Sequence, residues 1–247
     1  MTARTLRELH VPGTPLVLPN AWDVDTARLV EQAGFPVVAT SSVAVAAALG
    51  YPDGEAAPAE EMFAAAARIA RAVSVPVTVD AESGYGLAAP ELAERLLATG
   101  AVGLNFEDTD HSAGSPRPLD VQAKRVADLR AAAGDALVIN ARVDVFLGAE
   151  DESAVLDDAI ARGKAYLAAG ADCVYPILVR SPDVLGEFVR AVTPGAVNAA
   201  AVPGGPDLAA LAKLGVARIS LGAGLWKHTQ AHIRSVLTAL SAGTLPY

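Results

Sequence analysis

Two kinds of hydrophobic pattern alternate along the chain. Short apolar segments rich in β-branched residues are followed by longer segments with apolar residues at helical spacing. The first kind is typical of buried strands in a parallel sheet, and the second is typical of amphipathic helices. The pattern predicts eight strands, at Pro15–Asn20, Pro36–Ser42, Val75–Glu82, Val102–Asp108, Leu137–Asp144, Cys173–Leu178, Ala196–Ala200 and Ala217–Gly222.

Glycine separates the predicted helices from the strands that follow them. Segments such as "PELAERLLATGA" end in Gly-Ala directly before a strand, and Gly34, Gly100, Gly170 and Gly215 share this position. Glycine there supplies the left-handed cap of a helix and marks a helix-to-strand loop. Eight such units in 247 residues predict an α/β protein with a (β/α)8 TIM barrel, as a single domain over residues 1–247. A doubly wound open sheet is the alternative, which is weakened because "LVLPNAWD" lacks a Gly-x-Gly-x-x-Gly fingerprint.

Composition narrows the class of protein. Apolar residues make up 52% of the chain, yet no uncharged apolar segment approaches the roughly 20 residues that cross a bilayer. The start, "MTARTLRELH", has no apolar signal region, so we expect a cytoplasmic protein without a membrane partner. The net charge of −9 argues against nucleic-acid binding, which usually needs a basic surface. Cys173 is the only cysteine, which excludes a disulfide framework and a cysteine zinc cluster.

Acidic residues gather where the predicted strands end. Asp80 and Glu82 end the third strand, and Glu107 ends the fourth. In a barrel these ends converge on one mouth, and strand alternation points Asp80 and Glu82 towards the interior. Neighbouring carboxylates repel each other, and Mg²⁺ prefers carboxylate and water oxygens. The sequence therefore predicts a magnesium site, with a solvated acidic loop as the alternative.

Arg142 is the cation that the pattern predicts at the same mouth. A guanidinium binds a planar carboxylate through two hydrogen bonds, so Arg142 indicates an anionic substrate. The alternative is a structural salt bridge to one of the nearby acids. His111, in the loop after Glu107, is a candidate proton donor. Schiff-base chemistry is disfavoured because no strand ends in a lysine; the lysines are Lys124, Lys164, Lys213 and Lys227.

Four segments resemble the isocitrate lyase / phosphoenolpyruvate mutase superfamily: "TSSVAVAAALGYPD", "VDAESGYG", "LNFED" and "INARVD". The resemblance runs nearly end to end, from "LPNAWD" to "ISLGAGLW". "VDAESGYG" is similar to the family's Asp-x-Asp-Thr-Gly-Tyr-Gly metal motif, with Glu82 and Ser83 in place of the second Asp and the Thr. The resemblance implies Mg²⁺, with Mn²⁺ as an alternative, and a 2-oxo acid on which an enolate develops.

The same resemblance implies roles for individual residues. Asp80 would bind Mg²⁺ directly, while Glu82 and Glu107 would hold its water ligands. Asp53 would act near the metal as a second-sphere or acid–base group, beside Arg142 and His111 as the catalytic residues. Substrate contacts are implied for Ser41, Ser42, Val43, Arg142 and Asn198.

The chain also departs from the family pattern. The segment after "LNFED" contains neither the cysteine and lysine of the lyases nor the lysine- and asparagine-bearing gate of the mutases and phosphonopyruvate hydrolases. On the sixth strand, where the family carries a His or a Glu, this chain aligns Ile177. The resemblance therefore implies a member outside the true isocitrate lyase and phosphoenolpyruvate mutase branches.

These observations predict a Mg²⁺-dependent lyase, decarboxylase or C–C hydrolase that acts on a small 2-oxo or 2-hydroxy dicarboxylic acid through an enolate. The alternatives are an enzyme of C–P bonds (a mutase or a hydrolase) and a barrel that binds 2-oxo acids without turnover. The family resemblance implies a homodimer or homotetramer, with the C-terminal helix exchanged between subunits. The apolar segment "IRSVLTALSAGTLPY" is compatible with that exchange.

Overall fold

The computed structural model describes residues 2–245 of the chain; Pro246 and Tyr247, which end the apolar C-terminal segment considered above, lie outside this range. The strands are β1 (Leu16–Leu18), β2 (Asn20–Ala21), β3 (Val38–Thr40), β4 (Val77–Asp80), β5 (Gly103–Glu107), β6 (Thr109–Asp110), β7 (Ser115–Pro116), β8 (Val138–Val143), β9 (Cys173–Pro176), β10 (Ala196–Ala200) and β11 (Arg218–Ser220). The helices are α1 (Ala3–Glu8), α2 (Val24–Gln32), α3 (Ser42–Leu49), α4 (Ala59–Ala72), α5 (Ala89–Ala98), α6 (Leu119–Ala133), α7 (Leu156–Ala168), α8 (Pro182–Val192), α9 (Leu208–Lys213) and α10 (Gly224–Ser241).

A parallel sheet forms the centre of the molecule. Its nine segments follow the order β1-β11-β10-β9-β8-β5-β4-β3-β2. The two edges, β1 and β2, are halves of one strand that is interrupted at Pro19, which has no N–H to donate. The sheet therefore closes on itself, and the predicted (β/α)8 barrel is confirmed. Each predicted strand is present, most of them with shorter bounds, and β6 and β7 add a small antiparallel hairpin after β5.

The helix-to-strand loops contain glycine at the predicted positions. Gly34, Gly100, Gly170 and Gly215 all have positive φ, between 86° and 102°. An L-residue with a side chain adopts this region only with strain, so glycine lets each helix end and turn back to the sheet. The short loops at this end leave the opposite end of the barrel to the longer strand-to-helix loops.

Helix α1 closes the N-terminal end of the barrel. Leu6 is fully buried there in a cluster with Leu16, Leu18 and Val138. A Cβ added to Gly103 would lie 2.8 Å from Leu6 Cδ2, so the close approach of the helix requires glycine in β5. The C-terminal mouth is thus the open end.

Strand register determines which side chains share a level in the barrel. Asp80 pairs with Asn105, Glu107 pairs with Arg142, and Arg142 pairs with Tyr175. The main core lies between the outer face of the sheet and the surrounding helices. No helix among the described residues has the length and hydropathy to cross a membrane.

Candidate active site

Asp80 is the last residue of β4 and faces the start of α3. Its Oδ2 accepts a hydrogen bond of 3.0 Å from the backbone N–H of Ser42, and its own N–H donates to Thr40 Oγ1. The first N–H groups of a helix have no acceptor within the helix, so this one is available to hold Asp80. Asp80 Oδ1 is buried and has no hydrogen-bond partner within residues 2–245. One oxygen of Asp80 is therefore held in place while the other remains available as a ligand.

Glu82 reaches the site through a turn rather than as part of the strand. Strand β4 ends at Asp80, and Glu82 has a φ of 47°, in the left-handed region. The expected strand alternation therefore does not set its direction. Its Oε2 accepts from the N–H of Glu55 at 2.6 Å, and its Oε1 accepts from Tyr85 Oη at 2.9 Å. Burial, together with the charges of Asp80 and Asp53, raises the pKa of Glu82 to about 7.

The loop between α3 and α4 lies over this turn. Glu55 Oε1 accepts hydrogen bonds from Ser83 Oγ at 2.7 Å and from the N–H of Tyr85 at 2.6 Å. Asp53, on the same loop, lies beside Asp80; partial burial of its carboxyl and the charge of Asp80 raise its pKa. The sequence reasoning missed Glu55, although the acidic loop that contains it was recognised.

Two carboxylates bind the guanidinium of Arg142. Its Nε and Nη2 donate to Asp144 Oδ1 and Oδ2 at 2.6 and 2.8 Å, and Nη2 also contacts Glu107 Oε2. Although burial lowers the pKa of Arg142, the charges of Asp144 and Glu107 raise it well above its usual value. None of these contacts uses Nη1.

Asp144 is in turn held by a hydrogen-bond network that the sequence analysis did not predict. The N–H of Asp144 donates to Asp108 Oδ1 at 2.9 Å. Asp108 Oδ2 accepts from Tyr166 Oη at 2.7 Å and from Arg162 Nη1 at 3.0 Å. The signal available in the sequence is the spacing of Arg142 and Asp144, which puts both on one face of "ARVD".

His111 lies in the hairpin that follows β5, at the edge of the acidic cluster. Its Nε2 is 2.7 Å from Glu107 Oε1 and 3.9 Å from Glu82 Oε2. The neighbouring Glu107 raises the pKa of His111. Burial raises the pKa of Glu107 to about 7, against the lowering effect of Arg142 and His111. Because both pKa values are raised, the contact between His111 and Glu107 favours a bound proton.

The residues expected to contact substrate divide into two groups. Ser41 and Ser42 are buried at the start of α3, next to Asp80, and Val43 follows them half-buried. Asn198 instead lies in the middle of β10, fully buried, and donates to Ser220 Oγ at 3.1 Å. The fold brings Asp53, Asp80, Glu82, Glu107, His111 and Arg142 together at the mouth, and it does not bring Asn198 there.

Strand β9 presents Tyr175, not Ile177, beside Arg142. Ile177 lies in the turn after β9, half-exposed, whereas Tyr175 is a buried strand residue in register with Arg142. Burial raises the pKa of Tyr175, with the charge of Arg142 opposing the rise, so its hydroxyl is neutral and able to donate. Ile177 lies two positions beyond Tyr175, and the register between β8 and β9 puts Tyr175 beside Arg142.

The donor set of this cluster fits a hydrated Mg²⁺. No three His, Cys, Asp or Glu side chains within residues 2–245 are arranged as direct ligands of one ion. Mg²⁺ characteristically keeps several waters and binds through one or two carboxylates. Asp80 Oδ1, buried and without a partner, fits the role of such a ligand. The acids at the mouth outnumber Arg142, which also favours a cation there.

Comparison with known proteins gives consistent matches. A family model described as phosphoenolpyruvate phosphomutase matches residues 6–241. Oxaloacetate decarboxylase of Bradyrhizobium sp. is 34% identical, in a match that covers 100% of this chain and 88% of that protein. 2-Methylisocitrate lyase of Bacillus subtilis is 29% identical, over 77% of this chain and 64% of that protein. The crystal structure of phosphoenolpyruvate phosphomutase from Streptomyces platensis subsp. rosaceus is 28% identical with a TM-score of 0.85, covering 99% of this chain and 89% of that chain.

Proposed function

Because the chain belongs to the phosphoenolpyruvate mutase / isocitrate lyase superfamily and is an enzyme of that type, we propose that it is a Mg²⁺-dependent lyase of a small 2-oxo or 2-hydroxy dicarboxylic acid. The reaction we favour is decarboxylation of an oxaloacetate-like substrate through an enolate. The match to oxaloacetate decarboxylase along the whole chain supports this choice over cleavage of a larger acid.

The observation that carries the proposal is the guanidinium of Arg142 beside the acidic cluster. Its Nε and Nη2 are held by Asp144 and Glu107, and none of these contacts uses Nη1. A substrate carboxylate placed against Nη1 would lie next to the acids that favour a cation. One mouth can therefore hold both a divalent cation and an organic anion, as a 2-oxo acid requires.

The mechanism divides the work among these residues. Arg142 binds a substrate carboxylate, and the Tyr175 hydroxyl donates a hydrogen bond beside it. The C3–C4 bond breaks, CO₂ leaves, and the electron pair becomes an enolate at the C2 oxygen. Asp80, with Glu82 and Glu107 near its water ligands, would hold Mg²⁺, which would supply Lewis-acid stabilisation of that charge. His111, whose proton Glu107 stabilises, delivers a proton to C3 and completes the 2-oxo acid product.

A panel of substrates tests the proposal. The purified protein would be incubated with oxaloacetate, 2-methylisocitrate and phosphonopyruvate, with Mg²⁺ or with EDTA. Because free Mg²⁺ itself accelerates decarboxylation, the matched control is Asp80→Asn at the same Mg²⁺ concentration. We expect pyruvate from oxaloacetate with Mg²⁺, abolished by EDTA and reduced about 100-fold or more in Asp80→Asn, since Lewis-acid stabilisation contributes several kcal/mol.

Other results would change the assignment. Phosphate release from phosphonopyruvate, with oxaloacetate untouched, would favour the C–P enzyme. Undiminished turnover in Asp80→Asn would remove Asp80 from the metal site. A protein that binds oxalate tightly but converts no member of the panel would contradict the lyase assignment.

We further propose a homodimer or homotetramer in the cytoplasm, in which the C-terminal helix packs on another subunit. None of the 18 residues of α10 is buried, and Ile233, Leu237 and Leu240 are exposed on it. Exposed apolar residues grouped on one helix favour contact with another protein surface. Size-exclusion chromatography with light scattering tests the assembly, and a monomeric mass would contradict it.

A further inference from the structure

The barrel interior contains a layer of polar side chains below the acidic mouth. We call it the polar layer; it consists of Thr78, Asn105, Asn140, Asn198 and Arg218, all buried. Barrel interiors are normally filled by branched apolar side chains. Arg218 Nη2 donates to Asn105 Oδ1 at 3.1 Å, and Asn140 Nδ2 donates to the same oxygen at 2.9 Å. Since β11 and β5 are not neighbours in the sheet, the bond from Arg218 to Asn105 crosses the interior.

Arg218 is a buried charge without an ion pair. Its side chain is 1% exposed, and no carboxylate within residues 2–245 forms a salt bridge with it. Its remaining hydrogen bond goes from Nε to Ser220 Oγ at 3.3 Å, and Nη1 has no partner in this part of the chain. Arginine stays protonated in proteins, and an unpaired buried charge costs several kcal/mol. Something beyond hydrogen-bond distance must therefore stabilise it.

The charge of Asp80, at the acidic mouth, contributes to that stabilisation. Burial lowers the pKa of Arg218, and Cys173, Tyr175 and Asp80, in decreasing order of effect, oppose the fall. Asp80 pairs in register with Asn105, the residue that Arg218 contacts, so the polar layer adjoins the carboxylate that we propose as a metal ligand. The polar layer and the mouth are thus electrostatically coupled through Asp80.

We infer that Arg218 is the buried counter-charge of the acidic mouth, which weakens binding of the cation alone and strengthens binding of the substrate's anionic group. It acts through its field and through Asn105, without touching the substrate, and is therefore a positioning residue. The inference rests on the proposed function, in which the mouth takes both a cation and an anion. Arg218 thereby favours the complex that contains both the cation and the substrate over the complex that contains the cation alone.

Two variants remove the positive charge in different ways. Arg218→Gln keeps a polar group in the layer, whereas Arg218→Met keeps an unbranched side chain without one, and neither adds a charge elsewhere. Isothermal titration calorimetry would measure Mn²⁺ binding, and then oxalate binding in saturating Mn²⁺, at about pH 8 so that Glu82 is ionised. We expect both variants to bind Mn²⁺ about tenfold more tightly and oxalate about tenfold more weakly than the wild type.

If Arg218 is a counter-charge, its removal changes the affinities for Mn²⁺ and for oxalate in opposite directions. If Arg218 only supports packing, its removal weakens the binding of both ligands. Arg218→Lys keeps the charge and should restore both affinities to within about threefold of the wild type. The matched control is Arg130→Gln, which removes a positive charge bound to Asp172 and Gly170 at the closed end of the barrel and should change neither affinity.

Each remaining outcome is decisive. Equal or weaker Mn²⁺ binding in both charge-removing variants would overturn the role of Arg218 and leave the proposed lyase intact. If Arg218→Gln does not fold, Arg218→Met alone decides the sign. A wild-type protein that binds no Mn²⁺ would overturn the metal-dependent function and this inference with it.

Discussion

Each charged residue of the site is held in place by a different local interaction or backbone conformation. Asp80 is held by the first N–H of α3, Glu82 by a left-handed turn, and Arg142 by the two oxygens of Asp144. A non-glycine residue at positive φ costs about 1 kcal/mol or more, and Glu82 and Tyr85 both adopt it. The strained turn directs the Glu82 carboxylate into the site, which the strand alone would not do. The hydrogen bond from Tyr85 Oη to the Glu82 carboxylate stabilises this conformation.

The Tyr175 hydroxyl provides a residue-scale prediction. Tyr175→Phe removes a single oxygen beside Arg142, and losing a hydrogen bond to an ionised substrate group costs about 1.5–3 kcal/mol. We expect kcat/KM to fall about 10- to 100-fold in steady-state assays on the substrate identified by the panel. Thr193→Val is the control, since Thr193 Oγ1 donates to the Val189 carbonyl in the loop between α8 and β10, at the closed end of the barrel, and it should behave as the wild type. Equal kinetics for the two variants would remove Tyr175 from the site.

Helix α1 acts at the scale of elements, by closing one end of the barrel. Its single turn and a half is too short to be stable alone, so packing must hold it in place. Leu6 provides that packing against the strand ends, and Arg7 Nε bonds Asp172 at 2.6 Å. Sealing this end supports the polar layer from below and leaves the C-terminal mouth as the entrance.

Leu6→Ala tests this function of α1. Deleting a fully buried leucine removes apolar burial and leaves a cavity, so we expect about 2–5 kcal/mol less unfolding free energy in urea denaturation. Leu97→Ala, on an exposed face of α5, is the control and should cost less than about 1 kcal/mol. If the two substitutions cost the same, α1 does not close the barrel as described.

Charge balance belongs to the whole molecule, because the acids at the mouth come from several βα units. The pKa of Glu82 is raised from 4.5 to about 7 in the folded protein. The folded state therefore binds this proton more tightly than the unfolded state does. The resulting stability is fully present below about pH 4.5 and is lost as the pH rises through about 7. A cation that binds the ionised carboxylates reverses this loss.

We therefore predict that the stabilisation by Mg²⁺ grows with pH. In thermal melts at saturating Mg²⁺, the rise in Tm over the apo protein should be small near pH 6 and larger near pH 8, because protons compete with the cation below the raised pKa. Asp80→Asn should show little rise at either pH. A rise in Tm that is independent of pH would contradict the raised pKa of Glu82 as its cause.

The sequence predicted several parts of the candidate site and missed others for physical reasons. Asp80, Glu107 and Arg142 were predicted because each ends a strand, and parallel strands in a barrel end at a common mouth. Tyr175 was missed because a side chain's neighbour on another strand depends on the register between the strands, whereas Asp144 was not singled out as the partner of Arg142 although their spacing is visible in the sequence. Glu82 was expected from strand alternation, yet a turn directs it.

The sequence by itself determined the eight βα units, the glycine-marked loops and the end of the barrel that collects the acids. These are local properties, set by hydrophobic period and by the residues that follow each apolar segment. Only the tertiary structure decided that Arg142 contacts Glu107, that Arg218 contacts Asn105 across the barrel and that Asn198 lies below the mouth. Such contacts depend on strand stagger and barrel closure, which join residues far apart in the chain and leave no local pattern.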